Sequence, residues 1–141
     1  MSRVKTKRID YSALADFRYE IRRFLNFSEG AARAAGMEPQ QHQALLAIKG
    51  RSEFDTNVGV LAERMQIRHH SAAELSRRLE GRGWIRRSRR GRDRREVQLR
   101  LTPRAERLLA KLSIAHRAEL RTAESRLIRA LSRATGRRRG R

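Results

Sequence analysis

The sequence predicts a mainly helical α+β protein in which two long helical segments flank short helices and a two-stranded hairpin. Apolar residues recur at three- and four-residue spacings before residue 35 and after residue 103, as in amphipathic helices. Glycines and potential capping residues divide the stretch between them into shorter segments. Apolar and polar residues alternate over 96–101, as they do in a half-buried strand.

The first long helix is predicted from about residue 11 to about residue 35. Asp10 can cap its start, and Gly36 suits its end. Its apolar residues form one stripe, which consists of Leu14, Phe17, Ile21, Phe24 and Leu25. Such a helix is about 37 Å long at 1.5 Å per residue. Because that length exceeds what a small core needs, it suggests a partner subunit.

Three shorter helices are predicted next. Pro39 suits the first turn of the second helix, and Thr56 or Asn57 can cap the third. A fourth helix is expected over 69–82, closed by Gly81 and Gly83. Its inward-facing residues are Ala72, Leu75 and Leu79.

A hairpin with an arginine-rich loop is predicted between Trp84 and Thr102. Trp84 is expected in the core, and Val97, Leu99 and Leu101 form the apolar face of the second strand. Five arginines crowd the tip around a glycine: Arg89, Arg90, Arg92, Arg94 and Arg95. Because like charges this close repel one another, the loop calls for a dense negative partner, and nucleic-acid phosphate is the obvious candidate.

The region after the hairpin predicts two more helices. Thr102 and Pro103 suit the N-cap and first residue of a long helix that extends to about residue 123. A separate last helix carries Leu127, Ile128 and Leu131. Residues 1–9 are expected to form a basic arm, and residues 136–141 a basic disordered tail.

The charge balance narrows the function. The 141 residues include 35 Lys and Arg against 15 Asp and Glu, for a net charge of +20. Residues 64–104 hold fourteen arginines and four acids, so half of this charge lies there. The absence of cysteine excludes disulfides, thiolate metal sites and cysteine redox switches. No apolar run has the length of a membrane span and no signal peptide is evident, so we expect a cytoplasmic protein without a membrane partner.

Two short helices followed by a basic hairpin predict a winged helix-turn-helix over residues 36–102, whose second short helix enters the major groove of double-stranded DNA. The base-reading candidates lie at its N-terminal end: His69, His70, Ser71 and Glu74. Arg77 and Arg78 lie further along and are expected to hold phosphate. The hairpin arginines can enter the narrow minor groove.

Several of these residues have a second interpretation. Ser71 and Glu74 have the spacing of a capping box, in which the carboxylate would satisfy a backbone N–H rather than accept from a cytosine amino group. His69 and His70 could be ordinary helix-entry residues, and as helix neighbours they point apart, which disfavours a metal site. Asp93 is expected to pair with neighbouring arginines. Since no nucleophile, base and orienting group assemble, we expect neither an enzyme nor a cofactor or metal.

The chain resembles the MarR family of bacterial transcription regulators over about residues 10–135. The resemblance rests on Leu79-Glu80-Gly81-Arg82-Gly83-Trp84-Ile85, on Asp93-Arg94-Arg95, and on Leu101-Thr102. It implies a homodimer formed by helices within 10–35 and 103–135, with Arg94 or Arg95 in the minor groove. It also implies a repressor that a small anionic or phenolic effector releases from a pseudo-palindromic operator. The sequence shows no set of residues assignable to an effector pocket.

Two functions therefore remain open from the sequence. The first is a dimeric, sequence-specific DNA-binding regulator, which the recognition helix and the ordered hairpin favour. The second is an architectural or RNA-associated nucleic-acid-binding protein with little sequence specificity, which the extreme basicity favours. Preference for one duplex over random DNA separates them.

Overall fold

A computed structural model describes residues 8–51, 55–89 and 95–137. The predicted mainly helical class with one small antiparallel hairpin is confirmed. The elements are α1 (Tyr11–Ala34), α2 (Pro39–Lys49), α3 (Val58–Met65), α4 (His69–Gly81), β1 (Ile85–Ser88), β2 (Gln98–Leu101) and α5 (Pro103–Ala134). The predicted arm and tail lie largely outside the described residues.

Side-chain caps fix the starts of three helices where the sequence predicts them. The Asp10 carboxylate accepts a hydrogen bond from the Ala13 N–H at 2.9 Å. The Asn57 side chain accepts from the Val60 N–H at 2.8 Å, so Asn57 rather than Thr56 caps α3. The Thr102 hydroxyl accepts from the Ala105 N–H at 3.3 Å. Each bond satisfies a donor that the first turn of a helix leaves without a partner.

The prediction of two helices after the hairpin is wrong, because α5 is continuous. Its interior contains neither proline nor glycine after Pro103, so nothing in the chain interrupts the hydrogen-bond ladder. The one weak helix former at the expected break, Thr122, turns its hydroxyl back to the Ala118 carbonyl oxygen at 3.2 Å. Within the described residues, no helix is both long and apolar enough to cross a membrane.

The chain forms two compact units, and residues 29–114 make up the larger one. In its sheet Ile85 pairs with Leu101 and Arg87 with Leu99. The Leu99 N–H also donates to the Thr56 carbonyl oxygen at 2.8 Å, so the chain before α3 borders the free edge of β2. The core cluster combines α2, α3, α4, the hairpin and the start of α5, and includes Leu45, Ile48, Leu61, Leu75, Leu79, Trp84, Ile85, Leu99 and Leu109.

The smaller unit comprises residues 1–28 and 115–141, within which α1 and α5 pair antiparallel. Ser28 contacts His116 at 2.7 Å, whereas Glu20 contacts Arg126 at 3.2 Å. This unit leaves several large apolar side chains exposed in the single chain: Tyr11, Leu14, Ile21, Leu25, Leu120, Ile128 and Leu131. Much of the stripe predicted on the first helix is therefore not used within the chain itself.

Candidate nucleic-acid interface

A tight left-handed turn joins α3 to α4. Gln66 ends α3 with φ 56° and ψ 43°, a conformation that costs most residues about 1 kcal/mol or more. The following Ile67 N–H returns to the Ala62 carbonyl oxygen at 3.0 Å. The turn places two short helices in the helix-turn-helix arrangement that the sequence predicts.

Helix α4 buries one face and exposes the other, as its apolar spacing predicts. Ala72, Leu75 and Leu79 are each no more than 3% exposed and pack in the core. Ser71 is half-buried at the edge of the outer face. The other candidates on this helix are exposed: His69, His70, Glu74, Arg77 and Arg78. One polar surface therefore holds the four base-reading candidates and both phosphate candidates.

The capping-box interpretation of Ser71 and Glu74 is wrong. The N-cap of α4 is Arg68, which makes no side-chain capping bond, so Ser71 lies inside the first turn. Glu74 instead extends along the outer face and lies 3.7 Å from Arg78, one turn further on. Because both side chains are exposed, this pair contributes little to stability and leaves the carboxylate available to a ligand.

Short hydrogen bonds fix the hairpin to the end of α4. Gly83 has φ +74°, which lets the Trp84 N–H return to the Leu79 carbonyl oxygen at 2.9 Å. The Glu80 carboxylate accepts from the Arg87 N–H of β1 at 3.0 Å. The Thr102 hydroxyl donates to the Gly83 carbonyl oxygen at 2.8 Å. These bonds hold the two basic elements in one orientation to each other.

The tip of the hairpin is described only at its two ends. Arg89 and Arg95 are both exposed there. The predicted contacts Arg90, Arg92 and Arg94, together with Asp93, lie outside the described residues. The expected role of Asp93 as an ion-pair partner therefore stays a prediction.

The hairpin also carries two exposed arginines that the sequence-based set of DNA contacts omits. Arg86 of β1 and Arg100 of β2 are direct partners in the antiparallel register. The signal was available in the sequence, since Arg86 follows the inward Ile85 and Arg100 separates Leu99 from Leu101.

His69 and His70 are adjacent at the start of α4, and both are exposed. In the described part of the chain, no group of three or more His, Cys, Asp or Glu side chains could hold a metal ion. Trp84 is buried at 6% exposure, as predicted, and so offers no stacking platform to a base.

Comparisons with known proteins agree with this architecture. Residues 35–96 match the sequence model of the MarR family. RV1404 from Mycobacterium tuberculosis is similar in structure, with TM-score 0.70, 19% identity, and coverage of 95% of this chain and 99% of that one. MepR, a transcription regulator of the Staphylococcus aureus multidrug efflux pump MepA, gives TM-score 0.69 and 18% identity over 84% of this chain and 85% of that one.

A MepR F27L mutant from S. aureus, bound to an oligodeoxyribonucleotide, gives TM-score 0.66 and 19% identity over 84% of each chain. No curated protein is similar enough in sequence to count as a match. The winged helix-turn-helix region, residues 35–96, therefore matches the MarR family, and the fold is shared with these solved structures.

Proposed function

We propose that the protein is a homodimeric, sequence-specific transcription regulator that binds double-stranded DNA and acts as a repressor released by a small anionic or phenolic molecule. One observation carries the DNA-binding part. Helix α4 exposes a continuous polar face and is hydrogen-bonded at its end to a basic hairpin. A helix exposed in this way can lie in a major groove while the hairpin reaches the backbone or the minor groove.

The position of each residue along α4 determines whether it contacts a base or a phosphate. His69, His70 and Ser71 lie at the N-terminal end, which enters deepest, and can donate to or accept from base edges. Glu74 can accept from a cytosine amino group once its contact with Arg78 opens. Arg77 and Arg78 bind phosphate, which positions the helix without reading sequence. Arg89, Arg90, Arg92, Arg94 and Arg95 bind the backbone and minor groove from the hairpin.

The homodimer is supported by the exposed apolar side chains of the smaller unit. Leu14 and Leu25 on α1, and Leu120 and Leu131 on α5, are each at least 41% exposed. Burial in a subunit interface would remove this apolar surface from water, at about 25 cal/mol per Å². A two-fold dimer would also present two copies of α4 to a pseudo-palindromic site.

The decisive experiment is selection of bound duplexes from a random pool, followed by competition at fixed salt. A regulator prefers its selected duplex over random DNA by about 10³-fold or more. The net charge of +20 favours the alternative, an architectural or RNA-associated binder, for which the preference stays below about tenfold or an RNA competes equally. Adding salicylate, an anionic phenol, to the complex tests release by an effector.

Two variants of α4 distinguish residues that contact bases from residues that contact phosphates. His70→Ala should lower the preference for the selected duplex while random DNA binds as before. Arg77→Ala should weaken both duplexes equally and reduce the slope of log affinity against log salt by about one per bound chain. If His70→Ala and Arg77→Ala both lose the same affinity for the selected duplex and for random DNA, the assignment of α4 as the recognition helix is wrong.

A further inference from the structure

A small cavity lies beside β2, between the end of α2, the segment before α3 and the first turn of α5. Every described residue that lines it belongs to the larger unit. Its volume is about 160 Å³. A cavity of about 150 Å³ is large enough to hold benzene, whereas one water molecule takes up about 30 Å³ in the liquid. The cavity therefore has room for a single six-membered ring.

The buried part of the lining is apolar except for one hydroxyl group. Ile48 near the end of α2 and Leu99 on β2 are 3% and 2% exposed. Thr56 is 4% exposed, and its hydroxyl oxygen has no hydrogen-bond partner among the described residues. Buried polar groups are nearly always hydrogen-bonded, so this hydroxyl is unusual. A ring that carries one hydrogen-bonding group would both fill the cavity and supply the missing partner.

The exposed part of the lining is charged, but its charges cancel. The Lys49 ammonium lies 2.9 Å from a carboxylate oxygen of Glu106. The Arg100 guanidinium lies 3.8 Å from the carboxylate of Asp55. A carboxylate ligand would meet two carboxylates as well as two cations, so little attraction is left to offset the water that its charge loses. An uncharged ligand has no such desolvation cost.

We propose that this cavity binds a small uncharged phenol, whose ring packs against Ile48 and Leu99 and whose hydroxyl pairs with Thr56 Oγ1. A phenolic hydroxyl and a threonine hydroxyl each donate and accept, so the hydrogen bond forms in either direction. The site narrows the effector of the proposed function from anionic or phenolic molecules to uncharged phenols. Its regulatory role rests on that function, because a ligand acts as an effector only if the protein binds DNA.

The cavity borders the contact between the hairpin and the start of α3. The Thr56 carbonyl oxygen accepts from the Leu99 N–H at 2.8 Å. Asn57, the next residue, caps α3 and forms an isolated bridge to Gln98. A ligand held by Thr56 and Leu99 lies against this contact, so its binding affects the link between β2 and the helix-turn-helix.

Calorimetric titration of the full-length protein without DNA tests the site with three rings of similar size: phenol, toluene and benzoate. Benzoate should bind the wild type at least about tenfold more weakly than phenol, because its charge must be desolvated. Thr56→Val replaces the hydroxyl by a methyl group. It should weaken phenol by about fivefold, the value of one hydrogen bond, and change toluene by no more than about twofold. Without ligand, this variant should unfold at the temperature of the wild type or higher, since it removes an unpartnered buried group.

The matched control is Thr122→Val. Thr122 is exposed on α5, belongs to the smaller unit and does not line the cavity. The control carries the same substitution and should bind phenol and toluene as the wild type does. Nuclear magnetic resonance locates the ligand, and phenol should shift the amide resonances of Thr56 and Leu99 over the concentration range of the calorimetric titration.

Several results would overturn the inference. These are unchanged phenol binding in Thr56→Val, a wild type that prefers benzoate, and phenol that shifts resonances of the smaller unit but not those of Thr56 and Leu99. Phenol that fails to bind at millimolar concentration would leave the cavity to water and overturn it as well.

The DNA arm separates the site from the proposed function. A protein that binds phenol with the expected pattern but binds no duplex supports the site and defeats only the proposed function. A DNA complex that persists when the cavity is saturated with phenol would refute the regulatory role, with DNA binding intact.

Discussion

The guanidinium carbon of Arg104 lies 4.1 Å from the centroid of the Trp84 ring. Arg104 belongs to the first turn of α5, and Trp84 is the buried residue that precedes β1. The same guanidinium donates to the Arg82 carbonyl oxygen at 3.2 Å, just beyond the end of α4. One side chain therefore connects the end of α4, the hairpin and α5.

Replacing Arg104 with alanine should lower the free energy of unfolding by about 1 kcal/mol, since an exposed cation–π contact contributes about 0.5–1 kcal/mol and the hydrogen bond a similar amount. Lysine should recover only part of the loss, because it lacks the planar donor group. Urea unfolding measures the effect. Arg107→Ala, on the same helix, is the control, and an equal loss there would argue against a special role for the Trp84 contact.

Glycine at position 66 should stabilise the protein or leave it unchanged, because Gln66 has a left-handed backbone that glycine adopts without strain. The gain in stability should not exceed about 1 kcal/mol, because the variant also loses a hydrogen bond. In the wild type the Gln66 side-chain amide donates to the Glu63 carbonyl oxygen at 2.9 Å. Gln40→Gly, in the first turn of α2, should instead destabilise by about 0.5–1 kcal/mol. Thermal unfolding measures the stability of both variants. A destabilised Gln66→Gly protein would mean that the left-handed backbone at residue 66 is not a source of strain.

Loss of Arg126 should destabilise the protein far more than loss of an exposed ion-pair partner. The Glu20 side chain is only 9% exposed, and its second carboxylate oxygen, Oε2, has no partner among the described residues. Arg126→Ala would leave this charge buried without compensation, at a cost of about 3 kcal/mol. Adding Glu20→Gln to Arg126→Ala should restore most of the lost stability, because the buried side chain is then uncharged. Denaturant titrations of the two single variants and the double variant measure the coupling.

Arg33 provides the comparison for that pair. It lies 3.9 Å from Glu29 with both side chains well exposed, so Arg33→Ala should cost no more than about 0.5 kcal/mol. Similar losses for Arg33→Ala and Arg126→Ala would mean that burial of Glu20 is not the source of the effect.

Leu25→Glu and Leu131→Glu should shift the proposed dimer to monomer without unfolding the chain, since both side chains are about half exposed in the single chain. Light scattering reads the mass, and circular dichroism checks that helix content is kept. Leu46→Glu, equally exposed but in the other unit, should leave the dimer intact. A chain that stays dimeric in the first two variants would place the interface elsewhere. Leu108 packs against the core cluster and Leu112 is only 6% exposed, so charged substitutions at either position would test folding rather than the dimer.

The parts of the fold that depend on neighbouring residues were predictable from the sequence. The caps at Asp10, Asn57 and Thr102 act over three residues, so a local pattern contains the whole interaction. The faces of α4 and β2 follow from periodicity, which burial confirms. A local pattern was misleading where one spacing fits two roles. Ser71 and Glu74 have the spacing of a capping box, but α4 already begins at His69, so Ser71 is not the N-cap.

Interactions between distant segments were not predictable. Glu20 and Arg126 are 106 residues apart, and Trp84 precedes Arg104 by twenty, so no periodicity links either pair. The pairing of Arg86 with Arg100 depends on the strand register, which a local pattern does not give. Long-range polar contacts of this kind are set by packing rather than by a local pattern.

The hydroxyl of Thr102 donates to the Gly83 carbonyl oxygen and accepts from the Ala105 N–H. This one oxygen atom therefore links the end of β2, the segment after α4 and the first turn of α5. This junction matters when the hairpin is exchanged for that of a related protein. A donor hairpin ending in valine or alanine would lose both hydroxyl hydrogen bonds and keep only the backbone bond from residue 102 to the Trp84 carbonyl oxygen, whereas one ending in serine or threonine can keep all of them. The cut for such a chimera belongs after this residue, not before it.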